Sequence, residues 1–427
     1  MKNKKWCILL FLAVVCTRVC AQMEFNFSNL SGEVKKSVQL DGSILYQMPS
    51  GTDLTQLSSY GMSATVNGVS VDCADIHPNP STTFITDGEI EVFVYAGKAY
   101  SFRFTEGAYF TAILFSDPHV AQDDGTSVEA MQGYVQNMVN MGKEGGKQFR
   151  FSSMPSYVPT ADIVFCLGDM DKDSESSGSN FKNAIAGFNN AQVPFITLVG
   201  NHDLLPDYWH ESAGANAALT LLTASQNTTA LGIVTDQLNK AKGYDLGITV
   251  TRFTDGTSHT QAEPFVLTYK GVQFYCGQTY WFQKPYSIGL STTYYAPDGV
   301  IASLEEYVKN GAGRDKAAVW MQHYPFLYGS DCDRWWLDQN DGGKTIAISD
   351  ETDYPTAEDK KQKLSELIKY TKNPVHFSGH VHSSAKYTYN GIDDYTIGNT
   401  LTSAAPAYIL LCKENVGVVE IKEVSFK

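Results

Sequence analysis

The chain has 427 residues, of which 43% are hydrophobic and 18% charged, and carries a formal net charge of −14. That length exceeds one ordinary domain and the apolar fraction suffices for packed cores, while the acidity argues against a generic binder of nucleic-acid backbones. The eight cysteines show no C-x-x-C spacing, so neither a disulfide scaffold nor a zinc–cysteine site is expected.

The first 21 residues read as an export signal. Lys2, Lys4 and Lys5 give a positive start, residues 7–16 (CILLFLAVVC) form an apolar stretch too short to span a bilayer, and Val19-Cys20-Ala21 is a small-residue cleavage site. The mature chain is expected to begin near Gln22 and to be periplasmic or extracellular. Arg18 and Val19 ahead of Cys20 disfavour a lipid anchor there. Cleavage removes four basic residues and no acid, which moves the net charge from −14 to −18. No later run is apolar for long enough to cross a membrane. Cys73, Cys166, Cys276, Cys332 and Cys412 remain, an odd number whose pairing is left open.

Residues 22–107 alternate short β-type runs (43–47, 64–66, 89–95, 99–105) with turn signals such as Asp41-Gly42, Asn67-Gly68 and Asp87-Gly88. This predicts a small β-sandwich. It is similar to the immunoglobulin-like domains attached to many secreted bacterial enzymes, which implies a spacer or stability module. From residue 108 to 427 apolar runs alternate with helical segments, the pattern of an α/β domain. Thr126 and Glu129 form a capping box ahead of Met131, Tyr134, Val135 and Met138, which share one helical face before Gly142. Phe181, Ile185 and Phe188 mark a second helix. Leu304, Tyr307 and Val308 mark a third, stopped at Gly311, and Leu364, Leu367 and Ile368 a fourth. Residues 407–412 and 416–424 return to strands.

Five β-type runs end in side chains that bind metals. They are 109–115 before Asp117 and His119 (SDPH), 163–167 before Asp169 (LGD), and 194–199 before Asn201, His202 and Asp203 (GNHD). The other two are 317–321 before His323 (MQHYP) and 374–377 before His380 and His382 (SGHVH). Ligands of α/β sheets bind beyond the carboxyl ends of the strands, so these residues are expected on one rim. Carboxylates, an amide oxygen and imidazoles without thiolate suit Mn, Fe, Zn or Ni. Two cations close together repel, and a carboxylate such as Asp169 has lone pairs enough to bridge them. The other histidines, His77, His210, His259 and His376, read as surface or strand residues.

The order D-x-H, G-D, G-N-H-D, H, G-H-x-H resembles the signature of the calcineurin-like metallophosphoesterase superfamily over roughly residues 109–390. The resemblance implies a metallophosphoesterase β-sandwich flanked by helices, preceded here by the all-β domain. It also implies two divalent metal ions. Asp117, His119, Asp169 and His382 would hold the first, and Asp169, Asn201, His323 and His380 the second, with Asp169 bridging. A phosphate mono- or diester would be hydrolysed by hydroxide held between the metals. His202 would contact the phosphate or protonate the leaving group, with Asp203 orienting it. Purple acid phosphatases place a tyrosinate shortly after the G-D aspartate, where this chain has Lys172, and lack the histidine that is His119 here. An iron(III)–tyrosinate centre is therefore not expected.

Residues 204–263 and the aromatics Tyr280, Trp281, Phe282, Tyr286, Trp335 and Trp336 lie in insertions between the motifs. Those aromatics would either stack a base, sugar or lipid head group at the rim or pin the insertions by local packing. The few dozen residues after GHVH disfavour the 5′-nucleotidase branch, and acidity disfavours a nuclease. The competing reading is an inactive phosphoesterase fold that serves as a surface-binding protein.

Overall fold

The computed structural model describes residues 22–120, 125–155, 157–170, 179–200, 203, 230–253, 264–277, 298–323, 325, 355–380, 382–404 and 406–427. The export signal expected at 1–21 lies outside them. The chain divides into two compact units, Met1–Ala108 and Tyr109–Lys427.

The first unit is built from β1 (Met23–Phe27), β2 (Lys35–Val38), β3 (Ile44–Met48), β4 (Met62–Val66), β5 (Val69–Val71), β6 (Glu91–Tyr95) and β7 (Lys98–Glu106). They form a three-stranded sheet, β1-β4-β5, and a four-stranded sheet, β2-β3-β7-β6. Phe25 of the first sheet meets Phe93 and Phe102 of the second at 5.4 and 4.8 Å between ring centroids. Tyr46 stacks on Phe104, and its hydroxyl accepts the Phe25 main-chain N–H at 2.8 Å. Phe25 and Phe93 alternate with more exposed neighbours along β1 and β6, the period-2 pattern of the sequence, whereas Leu45 and Arg103, beside Tyr46, Phe102 and Phe104, are buried too.

The second unit contains, in chain order, β8 (Tyr109–Phe115), α1 (Gly125–Val139), β9 (Ile163–Cys166), α2 (Ser179–Ala184), α3 (Ala186–Asn190), β10 (Phe195–Thr197), α4 (Ala230–Gly243) and β11 (Thr249–Arg252). There follow β12 (Phe265–Tyr269), β13 (Val272–Cys276), α5 (Asp298–Lys309), β14 (Ala317–Met321), α6 (Pro355–Ile368) and β15 (Lys372–Ser378). The unit ends with β16 (Ala385–Tyr389), β17 (Ile392–Thr396), β18 (Ala407–Lys413) and β19 (Gly417–Val424).

One sheet runs β10-β9-β8-β18-β19 and the other β11-β12-β13-β14-β15-β17-β16. Strands β8, β9 and β10 are parallel to one another, as are β13, β14, β15 and β17. Side chains of the two sheets meet at Phe165–Phe274, Phe110–Tyr269 and Phe377–Tyr408, with centroids 4.8, 5.1 and 5.7 Å apart. Helices cover the other faces. Met131, Tyr134, Val135 and Met138 of α1 are buried, and Phe188 of α3 stacks on Phe195 at 4.9 Å. Leu304 and Val308 of α5 and Leu364, Leu367 and Ile368 of α6 share a core with Tyr275 and Trp320. Strands sandwiched in this way are apolar on both faces, so β9 and β14 read as unbroken apolar runs, and β8, β13 and β18 as apolar runs with one polar residue each, Thr111, Gln273 and Lys413.

One expectation changes. The second helix is two short ones, α2 and α3, because Ile185 has φ −88° and ψ 0°. The tightened turn brings Phe188 onto Phe195. The insertion 204–263 contains regular structure: α4 packs against β10, and β11 extends the seven-stranded sheet. Among the described residues Cys73, Cys166, Cys276 and Cys412 carry free thiols, and no helix is long and apolar enough to cross a membrane.

Candidate metal centre

Parallel strands deliver their following loops to the same sheet edge. Asp117 and His119 follow β8, Asp169 follows β9 and Asp203 follows β10. His323 follows β14, and His380 and His382 follow β15. The structure brings six of these side chains together in two groups that share one residue: Asp117, His119, Asp169 and His382, and Asp169, His323 and His380. Within each group the donor atoms lie within 4.8 Å of one another. Asp169 Oδ2 is 3.6 Å from His119 Nε2 and 3.3 Å from His323 Nε2, so it stands between the groups. His119 Nε2 and His382 Nε2 face each other at 3.0 Å, and His382 Nε2 is 3.4 Å from Asp117 Oδ1.

The backbone is bent to achieve this. Five of the fourteen non-glycine residues with positive φ among the described residues are Asp117, His119, Asp169, His380 and His382, with φ between 43° and 69°. Such conformations are sparsely populated and persist where the surroundings enforce them. Here Asp117 N donates to Gly168 O and His119 N to Asp169 O, both at 3.1 Å, and Gly379 N donates to His323 O at 2.8 Å. Two glycines allow the close approach. A Cβ at Gly168 would stand 2.6 Å from Gly200 N and 2.8 Å from His323 Nδ1, and one at Gly200 would strike the Asp169 carboxylate and main-chain nitrogen.

The donors are themselves held. His323 Nδ1 pairs with Leu167 O at 2.8 Å, which leaves Nε2 toward Asp169. The His380 main-chain N–H donates to both Asp117 oxygens, at 3.1 and 2.9 Å. Asp203, buried, accepts from Gly200 N at 2.8 Å and Met170 N at 2.9 Å, tying the loops after β9 and β10.

Burial alone would raise the Asp117 carboxyl, but the His382 hydrogen bond and the His323 and His119 charges outweigh burial and the Asp169 charge and hold it below the usual range. Burial would lower His323, yet the Asp169 charge and hydrogen bond push it up to about 9. His380 falls to about 3 through burial and the neighbouring His323 charge. His382 is raised, chiefly by its hydrogen bond to Asp117.

This donor set fits divalent metals. A cation with nitrogen and oxygen ligands at about 2.0–2.2 Å has ligand atoms roughly 3–4.4 Å from one another, close to the spacings here. Imidazole and carboxylate without thiolate match Mn, Fe, Zn or Ni. The His382 side chain is 48% exposed, whereas those of Asp117 and His323 are fully buried. The groups therefore open to solvent on the His382 side.

Asn201, His202, Tyr280, Trp281, Trp335 and Trp336 lie outside the described residues, as do Phe282, Tyr286, Lys172, His210, His259 and Cys332. His376 lies in β15, buried, with Nδ1 2.6 Å from Asp394 Oδ1. Segment 397–403, after β17, reaches the same rim and went unrecognised in the sequence, because Gly, Asn, Thr and Ser there match no metal pattern. It hydrogen-bonds Ser116 and His382.

No family model matches the sequence, and no curated protein matches it. Among solved structures, the chain is similar to purple acid phosphatase PPD1 from yellow lupin, Lupinus luteus, with 13% identity, TM-score 0.37, and coverage of 94% of this chain and 72% of that one. It is also similar to the phosphopantetheinyl hydrolase PptH of Mycobacterium tuberculosis, with 13% identity, TM-score 0.32, and coverage of 69% and 91%. A third is the sulfate thiohydrolase SoxB of Thermus thermophilus, with 11% identity, TM-score 0.34, and coverage of 74% of this chain and 56% of that one.

Proposed function

We propose that the chain is an exported phosphoesterase of the calcineurin-like metallophosphoesterase type, which hydrolyses a phosphate mono- or diester with two divalent metal ions. The observation that carries this reading is Asp169, a single carboxylate shared by two donor groups drawn from the loops after four separate strands. Asp117, His119, Asp169 and His382 would hold one ion. Asp169, His323 and His380, joined by Asn201, would hold the other. When bound, the two ions would lower the pKa of a water and neutralise charge on the phosphoryl oxygens.

The protein's own residues supply the rest. Asp169 offsets the repulsion between two cations, and Asp117 stays ionised. His323 keeps its Nδ1 on Leu167 O and turns Nε2 inward. The exposed His382 side is where an ester would approach. His202 is assigned to the phosphate or the leaving oxygen, where its proton completes bond cleavage. Asp203 braces the loop that carries His202. Residues 1–21 direct export, and the first unit, an immunoglobulin-like β-sandwich, serves as a spacer.

The test is metal analysis of the purified protein together with hydrolysis of p-nitrophenyl phosphate and its bis-ester. Two equivalents of metal and turnover of at least one ester are expected. Metal-free protein that hydrolyses neither ester after addition of Mn, Fe, Zn or Ni would leave the inactive binding protein as the reading.

A further inference from the structure

The first metal group is assembled across two sheets. Asp117, His119 and Asp169 follow strands of the five-stranded sheet, whereas His382 follows β15 of the seven-stranded one. A cation gripped from both sides needs the two loops at a fixed spacing, since donors must sit within a few tenths of an ångström of their places. Segment 397–403 spans them and contains no His, Cys, Asp or Glu.

On one side, Thr400 N and Thr400 Oγ1 both donate to the carbonyl of Ser116, the residue before Asp117, at 3.1 and 2.5 Å. Asn399 also forms a parallel bridge with Ser116. On the other side, Ser403 Oγ donates to the His382 carbonyl at 3.1 Å. Gly398 N donates to Ser384 Oγ at 3.2 Å, and Thr396 Oγ1 donates to Ser383 O at 2.8 Å. The segment is braced within itself. Asn399 Oδ1 accepts from Leu401 N at 3.0 Å and Thr402 N at 2.9 Å, and Ser403 N donates to Asn399 O at 2.9 Å. Gly398 makes room for this, because a Cβ there would stand 2.5 Å from Ser403 Oγ.

We infer that segment 397–403 is a clamp that sets the geometry of the first metal group, with Thr400 and Ser403 as its positioning residues. This rests on the two-metal reading above and assigns roles that neither the motifs nor the ligand set contains. Both residues that the clamp reaches toward, Asp117 and His382, are held at positive φ, where an unsupported backbone would relax. The second group has its own tie, from His323 Nδ1 to Leu167 O, which the clamp does not touch. The clamp therefore acts directly on the first ion, and reaches the second only through the shared Asp169 and the His380 N–H on Asp117.

The experiment is titration of the metal-free, full-length protein with Co²⁺, followed by absorption and calorimetry, for the parent, Ser403→Ala, Ser403→Thr and Thr400→Val. The parent takes up two equivalents. Ser403→Ala and Thr400→Val weaken one of the two affinities about tenfold, at the lower end of what outer partners of ligands contribute, and leave the other within about twofold. Ser403→Thr keeps the hydroxyl and restores the parent values. The thermal midpoint of metal-free Ser403→Ala stays within about 2 °C of the parent. The inference is overturned if Ser403→Ala binds both ions as the parent does. It is equally overturned if both affinities fall together with a lower midpoint, as a merely structural role requires. A parent that binds fewer than two ions overturns the two-metal reading, and the clamp with it.

Discussion

Asp203 places both carboxylate oxygens on main-chain N–H groups, those of Gly200 and Met170, and so joins the loops that present Asp169 and the GNHD motif. Removing it strands two buried donors. Asp203→Ala is expected to lose about 2–4 kcal/mol of unfolding stability, measured by urea denaturation of the metal-free protein, with Asp203→Asn losing less. A purely catalytic Asp203 would leave the urea midpoint unchanged. Proton competition follows from His323 and His380. His323, raised to about 9 by Asp169, stabilises the metal-free fold below the ordinary imidazole value near 6.5, and that contribution is lost as pH rises through 9. His380, lowered to about 3, acts oppositely: the fold loses stability as pH falls from the ordinary value toward 3. Because a metal needs His323 without its Nε2 proton, apparent affinity is expected to rise about tenfold per pH unit up to roughly pH 9. Competition with a chromophoric chelator between pH 6 and 9.5 measures this, and a flat profile would show that His323 is not a ligand.

Three of the strands that carry a ligand, β8, β9 and β14, are largely apolar and buried, and β15 is buried from Val375 onward. On β14, Trp320 lies flat on Tyr275 with ring centroids 3.9 Å apart, beneath Leu304 and Leu367, one strand position before Met321 and three residues before His323. Trp320→Ala is expected to cost about 3–5 kcal/mol in equilibrium unfolding. Well below the unfolding transition, its metal content should match the parent; a variant that keeps parental stability would contradict the packing described. Strands of this kind were legible because burial on both faces leaves a largely apolar run, and a polar ligand closing such a run stands out. Runs 109–115 and 317–321 coincide with β8 and β14. The clamp at 397–403 was illegible for the opposite reason. Its chemistry is hydroxyls and an amide bonded to main chain, and those residue types look like any turn. The break at Ile185 was also hidden, since Phe181, Ile185 and Phe188 keep a helical spacing whether or not the backbone tightens between them. Strand β11 and helix α4 were overlooked because they sit inside a stretch marked by its distance from the motifs.

At the scale of the molecule, every described donor lies in the unit Tyr109–Lys427, and none in Met1–Ala108. A protein that begins at residue 109 is therefore expected to bind the same number of metal ions as the full chain, which metal analysis after gel filtration would check. Loss of metal in a folded truncation would show that the first unit contributes to the site. Acidity belongs to this scale as well: a net charge of −14 repels polyanions while leaving a small phosphate ester free to reach a dicationic centre. The account as a whole depends on Asp169 joining two metals. Crystals soaked in Mn²⁺ and measured for anomalous scattering test that directly. Two peaks are predicted, about 3.5–4 Å apart, both within bonding distance of the Asp169 carboxylate. A single peak, or a pair that Asp169 does not bridge, would contradict it.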